Sequence, residues 1–330
     1  MARRTLLVRA LASVVAVVAT AGVSGCGLGT AGGFTPSGRL AGPVADVKPL
    51  DGLSIAVGSK NFSEQLLLGK MAVILLKSAG ADVEDFTNIP GSSSARQAQL
   101  EGQVGMEWEY TGTAWISYLG HEQGIVDERR QYEAVRDQDL RSNGLVWLEP
   151  APMNNTYGFA ATQKTADRLG VDKLSDIKDL PVQERTFCVE SEFKNRNDGF
   201  EPMLQTYGLK LGSDVPGGNV KTLDTGAIYS ATAQGACNFG EIFTTDGRIK
   251  ALHLKVLQDD ERFFPNYNVA PVIRKEILDA YPQLKDLFGP VAARLDDKTL
   301  IRLNARIDVD GAKPSDVAME WLESQGFVSR

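Results

Sequence analysis

Leu53-Ser54-Ile55-Ala56-Val57-Gly58-Ser59-Lys60-Asn61-Phe62-Ser63-Glu64-Gln65 reads as a strand, a loop and the start of a helix. Leu53, Ile55 and Val57 alternate with Ser54 and Ala56, the period of a strand with one face in a core. Ser63 then stands where an N-cap belongs, and Leu67, Met71, Ile74 and Leu75 fall on one helical face. The unit recurs. A strand beginning at 83–86 precedes a helix over 92–100, and a strand over 104–110 ends in the turn Thr111-Gly112-Thr113. Further strands are expected at 157–161, 186–189, 237–242 and 269–273, with helices over 165–169, 199–207, 227–234 and 317–323. This alternation points to an α/β protein of two units, each a mostly parallel sheet flanked by helices. Ligands of such sheets sit beyond the strand C-termini, which singles out loops 58–62, 110–113, 190–199 and 243–247.

The 330 residues carry 35 Lys+Arg against 42 Asp+Glu, a formal charge of −7, which argues against a nucleic-acid partner. Two histidines, His121 and His253, leave no basis for a multi-histidine metal site, and no cofactor is expected. Neither histidine adjoins a Gly-x-Ser-x-Gly elbow, which weakens the rival reading of an exported α/β hydrolase. Asp308-Val309-Asp310-Gly311 opens like a calcium loop, but Ala312 and Lys313 break the ligand spacing.

Arg3, Arg4 and Arg9 precede the apolar run 11–19, and Val23-Ser24-Gly25-Cys26 closes the segment. That layout is a secretory signal, here over residues 1–25. Its end resembles the lipobox of bacterial lipoproteins, so Cys26 is the expected lipidation site and the protein is expected on the extracytoplasmic face of the cell membrane. The apolar run is shorter than the roughly 20 residues of a membrane span. Residues 26–50, rich in Gly, Ala, Pro and Thr, read as a flexible tether. With Cys26 lipidated, Cys188 and Cys237 remain in an oxidising compartment, where a disulfide between neighbouring strands is expected. Two buried free thiols are the alternative.

Lys60 in the first loop, beside a helix N-terminus, suits an anion. Tyr110, Tyr157, Tyr229 and Tyr267 all stand at junctions between elements, and ring faces converging on one point attract a cation that has no N–H to donate.

Gly58-Ser59-Lys60-Asn61-Phe62-Ser63-Glu64-Gln65, Glu109-Tyr110-Thr111-Gly112-Thr113, Asn155-Thr156-Tyr157, Thr245-Asp246-Gly247-Arg248-Ile249 and Phe263-Phe264-Pro265-Asn266-Tyr267 occur in the order of one family. Over roughly 51–327 the chain resembles the substrate-binding proteins of quaternary-amine (glycine betaine, carnitine, choline) ABC importers. The resemblance implies a two-domain type II periplasmic-binding-protein fold with ligand in the interdomain cleft. Domain I would comprise 51–154 plus 267–330, and domain II 155–266. It also implies a tyrosine cage of Tyr110, Tyr157, Tyr229 and Tyr267, completed by the Asn155 carbonyl. Lys60, Thr113 and Arg196 would hold a ligand carboxylate, with Lys194 as the alternative to Arg196. The family's Gly-Asp-Ile-Asp stretch is replaced by Gly102-Gln103-Val104-Gly105, at an edge. The expected partners are a quaternary amine, glycine betaine first, and the permease of an ABC transporter, with the receptor itself a monomer. A sensor of the same fold for another small cationic or zwitterionic ligand is the nearer alternative.

Overall fold

The structure is a computed structural model and describes residues 35–330. The signal segment and Cys26 lie outside the described residues. In chain order the strands are β1 (Arg39–Leu40), β2 (Ser54–Lys60), β3 (Asp82–Ile89), β4 (Met106–Tyr110), β5 (Leu145–Trp147) and β6 (Tyr157–Thr162). They continue with β7 (Phe187–Val189), β8 (Val220–Thr222), β9 (Phe239–Phe243), β10 (Leu254–Val256), β11 (Val269–Arg274) and β12 (Val328–Ser329).

Two five-stranded sheets define two lobes. The first has the order β3-β2-β4-β11-β5 and the second β10-β6-β9-β7-β8. Both are mixed. In each, the strand that follows a crossing between lobes runs against its neighbours: β6 is antiparallel to β9 and β10, and β11 to β4 and β5. The strands linked by helices within a lobe, β2 with β3 and β4, and β7 with β9, are parallel as expected, and β8, a strand the sequence reading did not include, is parallel to β7. Local alternation sets those directions, whereas the direction after a crossing depends on where the chain re-enters.

The helix Ser63–Ser78 is buried on almost every face, including Leu67, Leu68, Val73 and Leu76. It lies between the first sheet and the helices Asp297–Asp308 and Pro314–Ser324. A helix enclosed on all sides carries apolar residues all round, so the single stripe read from sequence is only part of its buried surface.

Residues 35–50 differ from the flexible tether expected there. β1 pairs with β12, and Ala41 N donates to the Phe327 carbonyl at 2.9 Å. Gly38 N donates to Ser78 Oγ, and Val44 and Leu50 are fully buried in the first lobe. Two apolar side chains and a short ladder are enough to fasten a segment whose composition reads as loose.

The two crossings are stitched to each other. Ala151 N donates to Val269 O at 2.8 Å, Tyr267 N to Asn154 Oδ1 at 2.8 Å and Asn268 Nδ2 to Met153 O at 2.7 Å.

Cys188 on β7 and Cys237, just before β9, form a disulfide with Cα atoms 5.8 Å apart. The bond closes a sequence separation of 49 residues within the second lobe. Chain-entropy reasoning gives it about 4 kcal/mol of stabilisation. Reduction, or paired Cys188→Ala and Cys237→Ala substitution, should lower the denaturation midpoint and leave ligand affinity unchanged. Free thiols at both positions in the unreduced, denatured protein would contradict this.

Candidate functional site

A cavity of about 590 Å³ opens between the lobes. Its walls come from segments that follow the C-terminal ends of β2, β3, β4, β7, β8 and β9, with Asn155, Tyr157 and Tyr267 from the crossings. All four of the loops singled out from sequence contribute. Pro90-Gly91-Ser92 and Asp224-Thr225-Gly226 were not singled out; the first follows a strand read from sequence, while the second follows β8, which was not.

Five aromatic rings run in a row along this cavity. Tyr110 lies 6.1 Å from Phe62 and Phe62 stacks on Phe243 at 5.2 Å, a contact that joins the two lobes. Phe243 is 5.2 Å from Tyr157, and Tyr157 meets Tyr267 edge to face at 5.5 Å. Phe62 and Phe243 are the residues that sequence reading missed. Phe243 ends β9 and is the first residue of the loop 243–247 already marked as a ligand loop, which was the available signal.

Tyr229 is not among the cavity-lining residues. It is fully buried behind them, and its hydroxyl accepts the N–H of Phe243 at 2.9 Å. The Arg248 guanidinium covers its ring at 4.3 Å. A ring inside the helix Thr225–Ala233 faces the sheet, so Phe243 takes the wall position and Tyr229 fixes it from behind.

Arg196 also stands in a second layer. It is bound through Nε and Nη2 to Asp198, both at 2.6 Å, and lies 5.5 Å from the Tyr157 ring. Asp198 accepts the Tyr267 hydroxyl at 2.5 Å. The pair therefore braces two wall tyrosines. Lys194 is no substitute in this structure, since its ammonium turns to Thr222 at 3.4 Å.

Lys60 and Thr113 do line the cavity. The Lys60 side chain is 4% exposed, and its ammonium sits 2.6 Å from Glu109 Oε1 and 5.1 Å from the Tyr110 ring centre. At the mouth, Glu192 Oε2 accepts the N–H of Ser92 across the cleft at 3.0 Å. Burial works against the charge of Glu192, but Lys60, the Ser92 donors and Arg196 outweigh it and hold its carboxyl below the ordinary value.

Behind the row, Glu64 gathers four donors. Tyr110 Oη and Asn155 Nδ2 reach Oε1 at 2.8 Å each; Thr245 Oγ1 reaches Oε2 at 2.6 Å and Asn304 Nδ2 at 2.9 Å. Burial raises its pKa, and the four hydrogen bonds only partly offset that.

This is a two-lobed binding protein, with a ligand cavity walled by loops from both sheets. The family described as "Substrate binding domain of ABC-type glycine betaine transport system" matches residues 54–324, and the chain belongs to it. A glycine-betaine-binding protein of Pseudomonas aeruginosa is 37% identical over 283 residues, covering 83% of this chain and 89% of that one. The structure of apo YehZ from Escherichia coli superposes with a TM-score of 0.61 at 33% identity, covering 83% of this chain and 99% of that one. A crystal structure of a "glycine betaine/carnitine/choline ABC transporter" gives a TM-score of 0.67 at 25% identity, covering 82% and 98%. These relatives are transport binding proteins, and nothing in the comparisons supports a hydrolase.

Glu64→Leu would strand four buried donors, each costing about 1–3 kcal/mol when unsatisfied. The variant should lose at least about 3 kcal/mol in urea unfolding, and Glu64→Gln less. An unchanged midpoint in Glu64→Leu would remove the carboxylate from its bracing role.

Proposed function

We propose that this protein captures a quaternary ammonium osmoprotectant, glycine betaine first among them, and hands it to an ABC permease. The observation that carries the reading is the row Tyr110, Phe62, Phe243, Tyr157 and Tyr267 along the interlobe cavity. A trimethylammonium group has no N–H to donate, so it is best held by ring faces, at about 0.5–2 kcal/mol per face. Micromolar binding requires about 8 kcal/mol, and the ligand's carboxylate at Lys60 and Thr113 supplies part of the balance.

The domain limits 51–154 with 267–330, and 155–266, place both crossings at the cleft. Closure about them would bring the two groups of loops onto one ligand, and the closed form is what the permease would recognise. Arg196 and Tyr229 act in this reading as supports for the wall. The chain works as a receptor, without chemistry of its own.

No helix among the described residues is long and apolar enough to cross a membrane. Attachment through lipidated Cys26 fits this, on the extracytoplasmic side. Cys26→Ser should move the protein from the membrane fraction to the soluble one, and an unchanged distribution would dismiss the anchor.

Calorimetry with glycine betaine, proline betaine, carnitine, choline and an unrelated amino acid tests the ligand. Betaines should bind and the amino acid should not. Phe243→Ala, Tyr110→Ala and Tyr157→Ala should each weaken binding about tenfold, the worth of one ring face, and Tyr→Phe much less. If no quaternary amine binds, the reading fails.

A further inference from the structure

Beneath the helix Ser92–Leu100 lies a buried polar layer that ligand capture, as described so far, leaves unexplained. Met106-Glu107-Trp108-Glu109-Tyr110 is buried on both faces, and Glu107 and Glu109 share one of them. Glu109 pairs with Lys60 at 2.6 Å and accepts the Tyr118 hydroxyl at 2.8 Å. Asp139, from the helix Glu128–Asn143, takes both terminal nitrogens of Arg96. Glu107 is fully buried, and neither of its oxygens accepts a hydrogen bond among the described residues. The groups acting on it are Glu109 on its own strand, Lys60 on β2, Arg96, Asp139 and Tyr118. On β11 the residue registered against it is Val272, which brings no charge.

Three carboxylates thus face two cations, and both cations are already paired. An unpaired buried carboxylate is untenable unless it is neutral. A second orphan fits a proton there: Gln99 donates to the Val272 carbonyl, while its own Oε1 accepts nothing among the described residues. A neutral Glu107 brings a donor into a layer that holds a spare acceptor.

We propose that Glu107 is a proton-holding specificity residue, whose neutral form lets Lys60 be shared between Glu109 and a carboxylate on the ligand. This rests on the ligand reading above. A ligand carboxylate draws the ammonium outward, so positive charge near Glu107 and Glu109 falls and the proton is held more tightly. Linkage makes the effect reciprocal: the proton favours carboxylated ligands, and its loss disfavours them. Burial first, and Glu109 second, push the Glu107 carboxyl up to about 8. The proton is therefore present at neutral pH and lost as the solution turns alkaline.

The test is calorimetric binding of glycine betaine and of choline from neutral to alkaline pH, with wild type, Glu107→Gln and Glu241→Gln. Glu241 is the control, being a second buried carboxyl pushed up to about 8 by burial, in the other lobe. Wild-type affinity for glycine betaine should fall about tenfold between pH 7 and pH 9.5, and choline affinity should stay flat. Glu107→Gln should remove the slope and keep neutral-pH affinity, and Glu241→Gln should keep the slope. A purely structural role predicts no rescue by the neutral variant. Glu107→Met serves as the second neutral replacement if the amide disturbs folding. Infrared spectra of wild type at neutral pH should show a protonated carboxyl band that Glu107→Gln lacks. Glycine betaine binding with no slope, a slope that survives Glu107→Gln, or a missing band would overturn the proposal and leave the ligand reading standing. Failure of every quaternary amine to bind would overturn both.

Discussion

Glu64 holds the site together. Its donors come from β4, from the first crossing, from the loop after β9 and from the helix Asp297–Asp308, segments far apart in sequence. A buried carboxylate is costly unless its lone pairs are met, so these four elements have one low-energy arrangement about it. That arrangement sets Tyr110 on one side and Asn155 on the other. The remaining walls are built outward from there.

The outer supports follow the same logic with different chemistry. Arg196 and Asp198 form a buried pair with little room to move, and between them they touch Tyr157 and Tyr267. Tyr229 holds the backbone of Phe243, and Arg248 closes over Tyr229. A ring face binds a cation only where it is aimed, so the polar groups behind the rings decide whether the row is a site or merely apolar surface. This explains why conspicuous residues such as Arg196 and Tyr229 sit one layer back from the cavity.

Much of this was legible in the chain itself. Period-two and helical runs located the parallel strands other than the short β8, because those patterns report local burial. The disulfide followed from compartment and from two strands expected to be neighbours. Strand directions at β6 and β11 were not legible, since periodicity carries no sense of direction after a crossing. The layer in which Tyr229 lies was hidden for a related reason: residue type suggests what a ring could do, while only the fold says which way it faces. Glu107 was hidden differently. Alternating charges in Met106-Glu107-Trp108-Glu109-Tyr110 resemble a half-exposed strand, and nothing local reveals that helix Ser92–Leu100 covers the acidic face.

The docked segment at residues 35–50 bears on how force is shared between the lobes. Because β1 is laced to β12 and Val44 is sunk in the first lobe, a tension applied upstream is delivered to that lobe alone. The second lobe is joined to the first by the two crossings and by contacts across the cleft such as Phe62 on Phe243 and Ser92 on Glu192. With an anchor at Cys26, the first lobe would be the stator beside the membrane, and the second the arm that swings. Capture would then change the profile of the distal half, while the proximal half keeps its distance from the bilayer.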